Sequence, residues 1–301
     1  MGIPRTARRQ LTPLEPLVAA VESAQILDVP GRAVGRAARA ILSPGRAKAA
    51  LSGTWLGHAL HPLLTDLVVG SFVSASLLDV VGGDESGHAS ERLIAVGIAA
   101  YGPTALTGVS DWSDSEAVDD RVRRTGLVHA VSNAAALALY TASLAARRRG
   151  SRRQGAVLGA AGATVLMTAG YLGGHLSYAL GVGADQTAFD PGPTDWTPAG
   201  SGSPLSERHP TRVVVDDTPV LLFRDAGTVY AIHDRCSHRG CSLSDGEVDG
   251  HHIVCACHGS RFDLRNGALD RGPATAPQPA FQARERDGVL EIRRLPPPSA
   301  R

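Results

Sequence analysis

The sequence predicts a multidomain chain: an all-α four-helix transmembrane bundle followed by an all-β domain. Three observations carry this. Residues 60–184 hold four apolar stretches of helical length, residues 205–297 hold short β-branched runs broken by turn residues, and residues 185–204 between them are rich in Pro and Gly. At 301 residues there is room for both parts. A mean hydropathy of −0.02 and a net charge of +1 average over the division, and no nucleic-acid partner is expected from them.

Residues 1–50 carry scattered arginines and Lys48, with Pro and Gly throughout. No apolar core follows Arg8-Arg9, so a secretory or twin-arginine signal is not expected. The segment reads as a basic, partly helical juxtamembrane arm lying on anionic membrane lipid. Of the 30 basic residues only Lys48 is lysine, which points to genome composition rather than a selected surface.

The four stretches follow in residues 51–184. Leu60–Val81 has only Asp66, Asp79 and His61 as ionisable groups, and Leu93–Ser110 has no charge. Thr125–Ala146 has only His129, and Gln154–Ala184 only His175. Each supplies roughly 18–22 helical residues, enough to cross a hydrocarbon core about 30 Å thick. Pro62 suits the first turn of a helix, and Pro103 is expected to kink the second. Gly155-x3-Gly159 and Gly170-x3-Gly174 offer small faces for close helix approach in lipid.

After the 185–204 linker, Thr211–Asp216, Val220–Arg224 and Thr228–His233 read as strands, with Gly227 in the second turn. Phe281–Arg286 and Val289–Arg293 flank Asp287-Gly288, a two-residue hairpin signal. Two short clusters stand out among these strands. Cys236-Ser237-His238-Arg239-Gly240-Cys241 is followed by Cys255-Ala256-Cys257-His258-Gly259-Ser260. They read as C-x-H and, after 16 intervening residues, C-x2-H. Cys2His2 is also a zinc complement, although zinc frameworks usually pair like with like at short spacing. Here each half offers one Cys and one His.

This pattern resembles the ligand set of a Rieske [2Fe-2S] domain, over about residues 205–295. The resemblance implies that Cys236 and Cys255 hold one iron and His238 and His258 the other, which raises the potential. It also implies a disulfide between Cys241 and Cys257, as in the high-potential subfamily, and a Pro-rich covering loop at Gly272–Pro279. Ser260 matches a serine that hydrogen-bonds a bridging sulfide. Phe262 stands where the respiratory proteins place a tyrosine, so one sulfur hydrogen bond is missing and a lower potential is expected. Arg239 replaces their tip leucine, which is more like Rieske ferredoxins and oxygenases and makes quinol docking less expected.

Trp55-Leu56-Gly57-His58-Ala59-Leu60-His61-Pro62, Gly108-Val109-Ser110-Asp111-Trp112, Gly126-Leu127-Val128-His129-Ala130 and Gly173-Gly174-His175-Leu176 carry a second resemblance. It is to the bacterial four-helix membrane family DUF2231, over roughly residues 50–185. Four crossings put the N-terminus and the Rieske region on one side. His58, His61, His129 and His175 then all fall at the Rieske-facing end, with Asp66 just inside. Three readings stand side by side: bis-histidine ligation of haem b, a quinone site using Asp66, and hydrogen-bonded helix caps.

Arg147–Arg153 has five arginines in seven residues on the opposite side, which places the Rieske region on the external face of a bacterial cell membrane. Arg39, Arg46, Lys48, Arg121, Arg123 and Arg124 weigh against it. The expected function is one-electron transfer between a membrane donor, quinol or haem, and an acceptor protein. The alternative is a redox sensor or structural module on a simple anchor. An oxygenase would need a second, mononuclear iron on a catalytic domain, for which this order of parts leaves no place.

Overall fold

Packing divides the chain at points the composition does not mark. The computed structural model describes residues 14–201 and 205–295. Arg8-Arg9, Gly202 and the last two residues of the 205–297 segment lie outside these. One unit comprises the described residues up to Ile41 with His61–Val182; the other comprises Leu42–Leu60 with the described residues from Gly183 onward.

In the first unit, α4 (Leu60–Val81), α5 (Gly87–Ser113), α6 (Asp120–Arg148) and α7 (Arg152–Gly174) are each long and apolar enough to cross a membrane. Much of their apolar surface faces outward, including Leu63, Leu67, Leu77, Val96, Leu106, Val131 and Met167. A helix that exposes such side chains and buries Ser90, Thr104, Thr107 and Ser143 inverts the pattern of a helix in water. Pro103 lies inside α5, and α7 ends in a π-helical turn, His175–Ala179.

The bundle is two copies of one helical hairpin. Phe72 and Tyr140 stack with ring centroids 4.0 Å apart and planes 6° apart. Asp79 pairs with Arg147, both buried, with Arg147 Nη1 donating to Asp79 Oδ1 at 2.9 Å. Residues 72 and 140, and 79 and 147, are each separated by 68 positions. Each ring lies against a glycine of its own hairpin, Gly97 beside Phe72 and Gly162 beside Tyr140, where a Cβ would collide. Those glycines are 65 positions apart. Ser90 Oγ donates to Ala75 O at 3.3 Å, and Ser143 Oγ donates to Gly155 O at 2.6 Å, which couples the same positions in the two copies. The copies run the same way, so they are parallel repeats related by an axis along the helices.

Part of the described arm packs on the bundle. Its helices α1 (Glu15–Ser23) and α2 (Asp28–Ile41) pack on α5 and α6 through paired charges. Buried Glu116 accepts from Arg39 and from Arg123 Nε, the latter at 2.9 Å. Arg124 takes Asp28 bidentately at 2.8 and 2.7 Å, which holds the Asp28 carboxyl below its ordinary range. Gly31 and Gly35 admit Arg123 and Glu116, where any side chain would clash. The third arm helix, α3 (Arg46–Ser52), belongs to the other unit.

That unit is built on a six-stranded sheet, β1 (Thr197–Ser201), β10 (Val289–Arg294), β9 (Ala280–Arg286), β4 (Thr228–His233), β3 (Thr218–Asp225) and β2 (Thr211–Val215), in that spatial order. β5 (Glu247–Asp249), β6 (His252–Val254), β7 (Arg261–Asp263) and β8 (Leu269–Arg271) form a second, four-stranded sheet. β3 is buried on both faces: Leu221 and Phe223 join Ile232, Ile253 and Phe262, while Val220 and Leu222 join Phe281 and Ile292. Asp287-Gly288 has positive φ at both residues, as a type I′ turn requires, and Asp216-Asp217 and Ala226-Gly227 make the same kind of turn.

Between the two predicted domains, residues 185–201 carry structure of their own. β1 pairs with β10, Gln186 N donates to Ser237 O at 2.9 Å, and Asp190 accepts from Thr218 Oγ1 at 2.6 Å. Nor is Gly170-x3-Gly174 a packing face: Gly170 meets open space, and Gly174 meets only Tyr178 of its own turn. Gly155 does pack on Arg147 and Ser143, and the contacts expected of the second pair fall to Gly162 and Gly173.

Candidate metal centre

Two loops of identical hydrogen bonding face each other at one end of the four-stranded sheet. In the first, after β4, Cys236 N donates to Cys241 O and Gly240 N to Cys236 O, both at 2.8 Å. In the second, between β6 and β7, Cys255 N donates to Ser260 O at 2.8 Å and Gly259 N to Cys255 O at 2.9 Å. Gly240 and Gly259 hold φ of +76° and +74°, which is why each loop needs glycine four residues after its cysteine. Buried Asp234 pins the first loop, accepting from Ser244 N and Oγ and from Ser242 Oγ.

These loops bring together the four residues singled out by spacing. Cys236 and Cys255 are buried and unbridged, and their thiols hydrogen-bond each other. Sharing one proton pulls Cys255 down to about 7 and pushes Cys236 up. Backbone N–H groups of His238 and Arg239 point at the Cys236 sulfur, and those of Cys257 and His258 at the Cys255 sulfur. The rings of His238 and His258 meet edge to face with centroids 5.1 Å apart. Two sulfurs cradled by N–H donors beside two half-buried imidazoles form a donor set that fits a [2Fe-2S] cluster.

Cys241 and Cys257 form a disulfide joining the loops, and both sulfurs lie within 4.8 Å of Cys255 Sγ. Ser260 Oγ accepts from Ala274 N at 2.9 Å, which leaves its own hydroxyl proton to donate elsewhere. Phe262 is fully buried in the core with no hydroxyl to offer.

The Pro-rich loop closes over this end: Ser237 Oγ donates to Ala276 O at 2.9 Å. An outer layer was missed at the level of sequence. Thr54 Oγ1 donates to Ala274 O at 2.9 Å, and Pro44 lies against Gly259, next to His258. Residues 42–60 therefore cover the cluster loops, and no motif in them announces it. Behind the first loop, His233 is buried, accepting from Arg235 N at Nδ1 and donating from Nε2 to Asp190 at 3.1 Å.

The bundle histidines divide. His61 Nδ1 contacts Thr104 O at 2.9 Å, and His129 Nδ1 contacts Ala169 O at 2.8 Å. Carbonyls only accept, so each Nδ1 carries the proton and each Nε2 keeps a lone pair. His175 Nε2 instead meets Glu22 of α1 at 2.9 Å. His58 and Asp66 are exposed.

Comparison with known proteins agrees with both units. A Rieske [2Fe-2S] domain model matches residues 195–282, and a model described as a predicted membrane protein, DUF2231, matches residues 57–186. The anthranilate 1,2-dioxygenase ferredoxin subunit of Burkholderia cepacia is 33% identical over 98 residues, spanning 33% of this chain and 91% of that one. The 3-phenylpropionate/cinnamic acid dioxygenase ferredoxin subunit of Escherichia coli K12 is 37% identical over 80 residues, 26% of this chain and 76% of that one. Among solved structures, the ferredoxin of carbazole 1,9a-dioxygenase from Nocardioides aromaticivorans IC177 is 28% identical and covers 33% of this chain and 98% of its own, with a TM-score of 0.31. Matched along nearly the whole of a ferredoxin subunit, and with the loops described above, the chain belongs to the Rieske [2Fe-2S] family, its Rieske domain preceded by a DUF2231 membrane domain.

Proposed function

We propose that this is a membrane-anchored electron carrier, passing one electron at a time between a membrane donor, quinol or haem, and an acceptor protein. Cys236 and Cys255 would hold one iron and His238 and His258 the other. When bound, a [2Fe-2S] cluster with this ligation supplies one-electron exchange at raised potential. The observation that carries the reading is the matched pair of loops, which sets two N–H-cradled thiols beside two imidazoles.

The residues around the ligands each have a task. Gly240 and Gly259 turn the loops, the Cys241–Cys257 disulfide ties them, and Ala274 N aims the Ser260 hydroxyl by donating to its oxygen. The likeness to ferredoxin subunits supports carriage of electrons over turnover of a substrate. The external face of a bacterial membrane is the location we favour, because a disulfide persists in oxidising compartments and four crossings would then leave the arginine-rich Arg147–Arg153 loop in the cytoplasm.

The test is spectroscopic. Wild-type protein is expected to contain iron and acid-labile sulfide and to give a Rieske EPR signal on reduction, which His238→Ala or His258→Ala abolishes. Stoichiometric zinc without sulfide would end the proposal.

A further inference from the structure

The duplicated hairpin gives its two buried histidines equivalent places. His61 and His129 are 68 positions apart, the offset that relates Phe72 to Tyr140 and Asp79 to Arg147. Their carbonyl partners, Thr104 and Ala169, are 65 apart, the offset of the second helix in each copy. Four residues past each carbonyl stands a glycine that accommodates the ring: a Cβ on Gly108 would lie 2.7 Å from His61 Cε1, and one on Gly173 would lie 3.0 Å from His129 Cε1. Thr65 and Asn133, also equivalent, both donate to the backbone oxygen of the histidine one turn before, at 2.9 and 3.0 Å.

The shared axis fixes which way the rings face. Phe72 follows His61 by 11 residues, about three turns, and Asp79 follows Phe72 by seven, about two, so all three lie on one stripe of α4. Tyr140, Arg147 and His129 form the same stripe on α6. Phe72 meets Tyr140 and Asp79 meets Arg147 across the axis, so the histidine faces of α4 and α6 are turned toward each other at the end where α4 begins.

We propose that His61 and His129 are the two axial ligands of a single haem iron held between α4 and α6. The chemistry selects this class of ligand. A metal-binding imidazole characteristically gives its other N–H to a carbonyl, as both do here, leaving Nε2 as the Lewis base. Thr65 Oγ1 stands 3.5 Å from His61 Nε2 and Asn133 Nδ2 donates to the His129 lone pair at 3.1 Å, so both side chains have to swing aside when iron takes their place. A bare ion would need two or more further protein ligands. Asp66 is exposed and the four cysteines lie in the other unit, so two imidazoles suit a metal whose remaining positions a planar macrocycle fills. This goes beyond the function proposed above: it would supply the membrane donor, but it holds whether or not the cluster loops are loaded.

The experiment uses the full chain, purified in detergent and titrated with haemin, read by pyridine haemochrome, reduced-minus-oxidised spectra and ferric EPR. Stoichiometric haem in a low-spin, six-coordinate state is expected. His61→Ala and His129→Ala should each bring bound haem to background, while His58→Ala and His175→Ala leave it unchanged. Because an alanine could disturb the bundle, His61→Met is the second probe: it should retain haem with an altered spectrum and a raised midpoint potential, since methionine is itself an axial ligand. His238→Ala should lose the Rieske signal and keep the haem, so that this inference and the function proposed above fail separately. Wild-type protein that shows the Rieske signal yet takes up no haemin would overturn the inference. So would haem retained in both alanine variants, or a quinol analogue competing for the same two histidines in haem-free protein.

Discussion

The cluster loops and the membrane bundle are both built by using one device twice, at very different scales. In the Rieske unit the device is a six-residue loop, closed by the same two backbone hydrogen bonds around Cys236 and around Cys255. In the bundle it is a whole hairpin, repeated at offsets of 68 and 65 residues. The loops keep chemical likeness, each giving one thiol and one imidazole. The hairpins keep position and let chemistry drift: phenylalanine faces tyrosine, threonine stands for asparagine, and aspartate meets arginine. Local repetition preserves a ligand set, whereas repetition across a bundle preserves a place to put one.

Damage should therefore stay within each region. The largest effect expected is complete loss of the Rieske EPR signal in His258→Ala, with the helical circular dichroism melt of the bundle unmoved. A bundle that melts earlier in that variant would show the two regions to be energetically coupled. Next is Arg147→Ala, which strands the buried Asp79 carboxylate and should cost about 3–5 kcal/mol of bundle stability in detergent. The double change Asp79→Asn with Arg147→Gln should restore much of that. A single variant losing under ~1 kcal/mol would mean that the pair is solvated.

Smaller effects sharpen the account of the loops. Ser260→Ala should lower the cluster's midpoint potential by about 20–60 mV, one hydrogen bond of ~0.5–1.5 kcal/mol converted for a single electron. Phe262→Tyr should raise it by adding a donor. Voltammetry on the wild type and both variants checks the signs, and reversal of either would remove these residues from the sulfurs' surroundings.

The gentlest effect is with pH. Burial, which disfavours the charged ring, holds His233 below its ordinary 6.5 against the pull of Asp190. Asp190 is itself held below 3.8, opposed by its burial and favoured by Thr218 and His233. The unfolded chain protonates first in both cases, so stability is full above about 6.5, declines as pH falls through the His233 range, and declines again below 3.8. Melts of the Rieske unit from neutral to acid pH should show the first decline, and His233→Gln should flatten it.

What could be read from sequence follows the same contrast of scale. C-x-H and C-x2-H lie within a few residues, so the ligands of each loop are neighbours before folding, and the strands on either side announce themselves by β-branching. Leu60–Val81 was legible to the residue because lipid demands an apolar run of fixed length. The cover formed by residues 42–60 was not, since Pro44 and Thr54 act through contour and one hydroxyl and carry no periodic signal. Residues 197–201 passed for linker because Pro198 and Gly200 are turn residues, yet an edge strand tolerates both. The histidines were visible singly. Their equivalence was not, because it needs the positions of Gly108 and Gly173 and the carbonyls they follow, and glycine is common throughout the bundle.

The Asp79–Arg147 pair says something about how such a bundle could arise. Two separate, identical hairpins related by a two-fold axis would set aspartate against aspartate or arginine against arginine at this point, a repulsion that no dimer of equals can relieve. Joining the copies in one chain lifts that restriction, because each copy then mutates on its own. In a single chain an ion pair can stand at one end of the bundle while two like residues, His61 and His129, stand at the other.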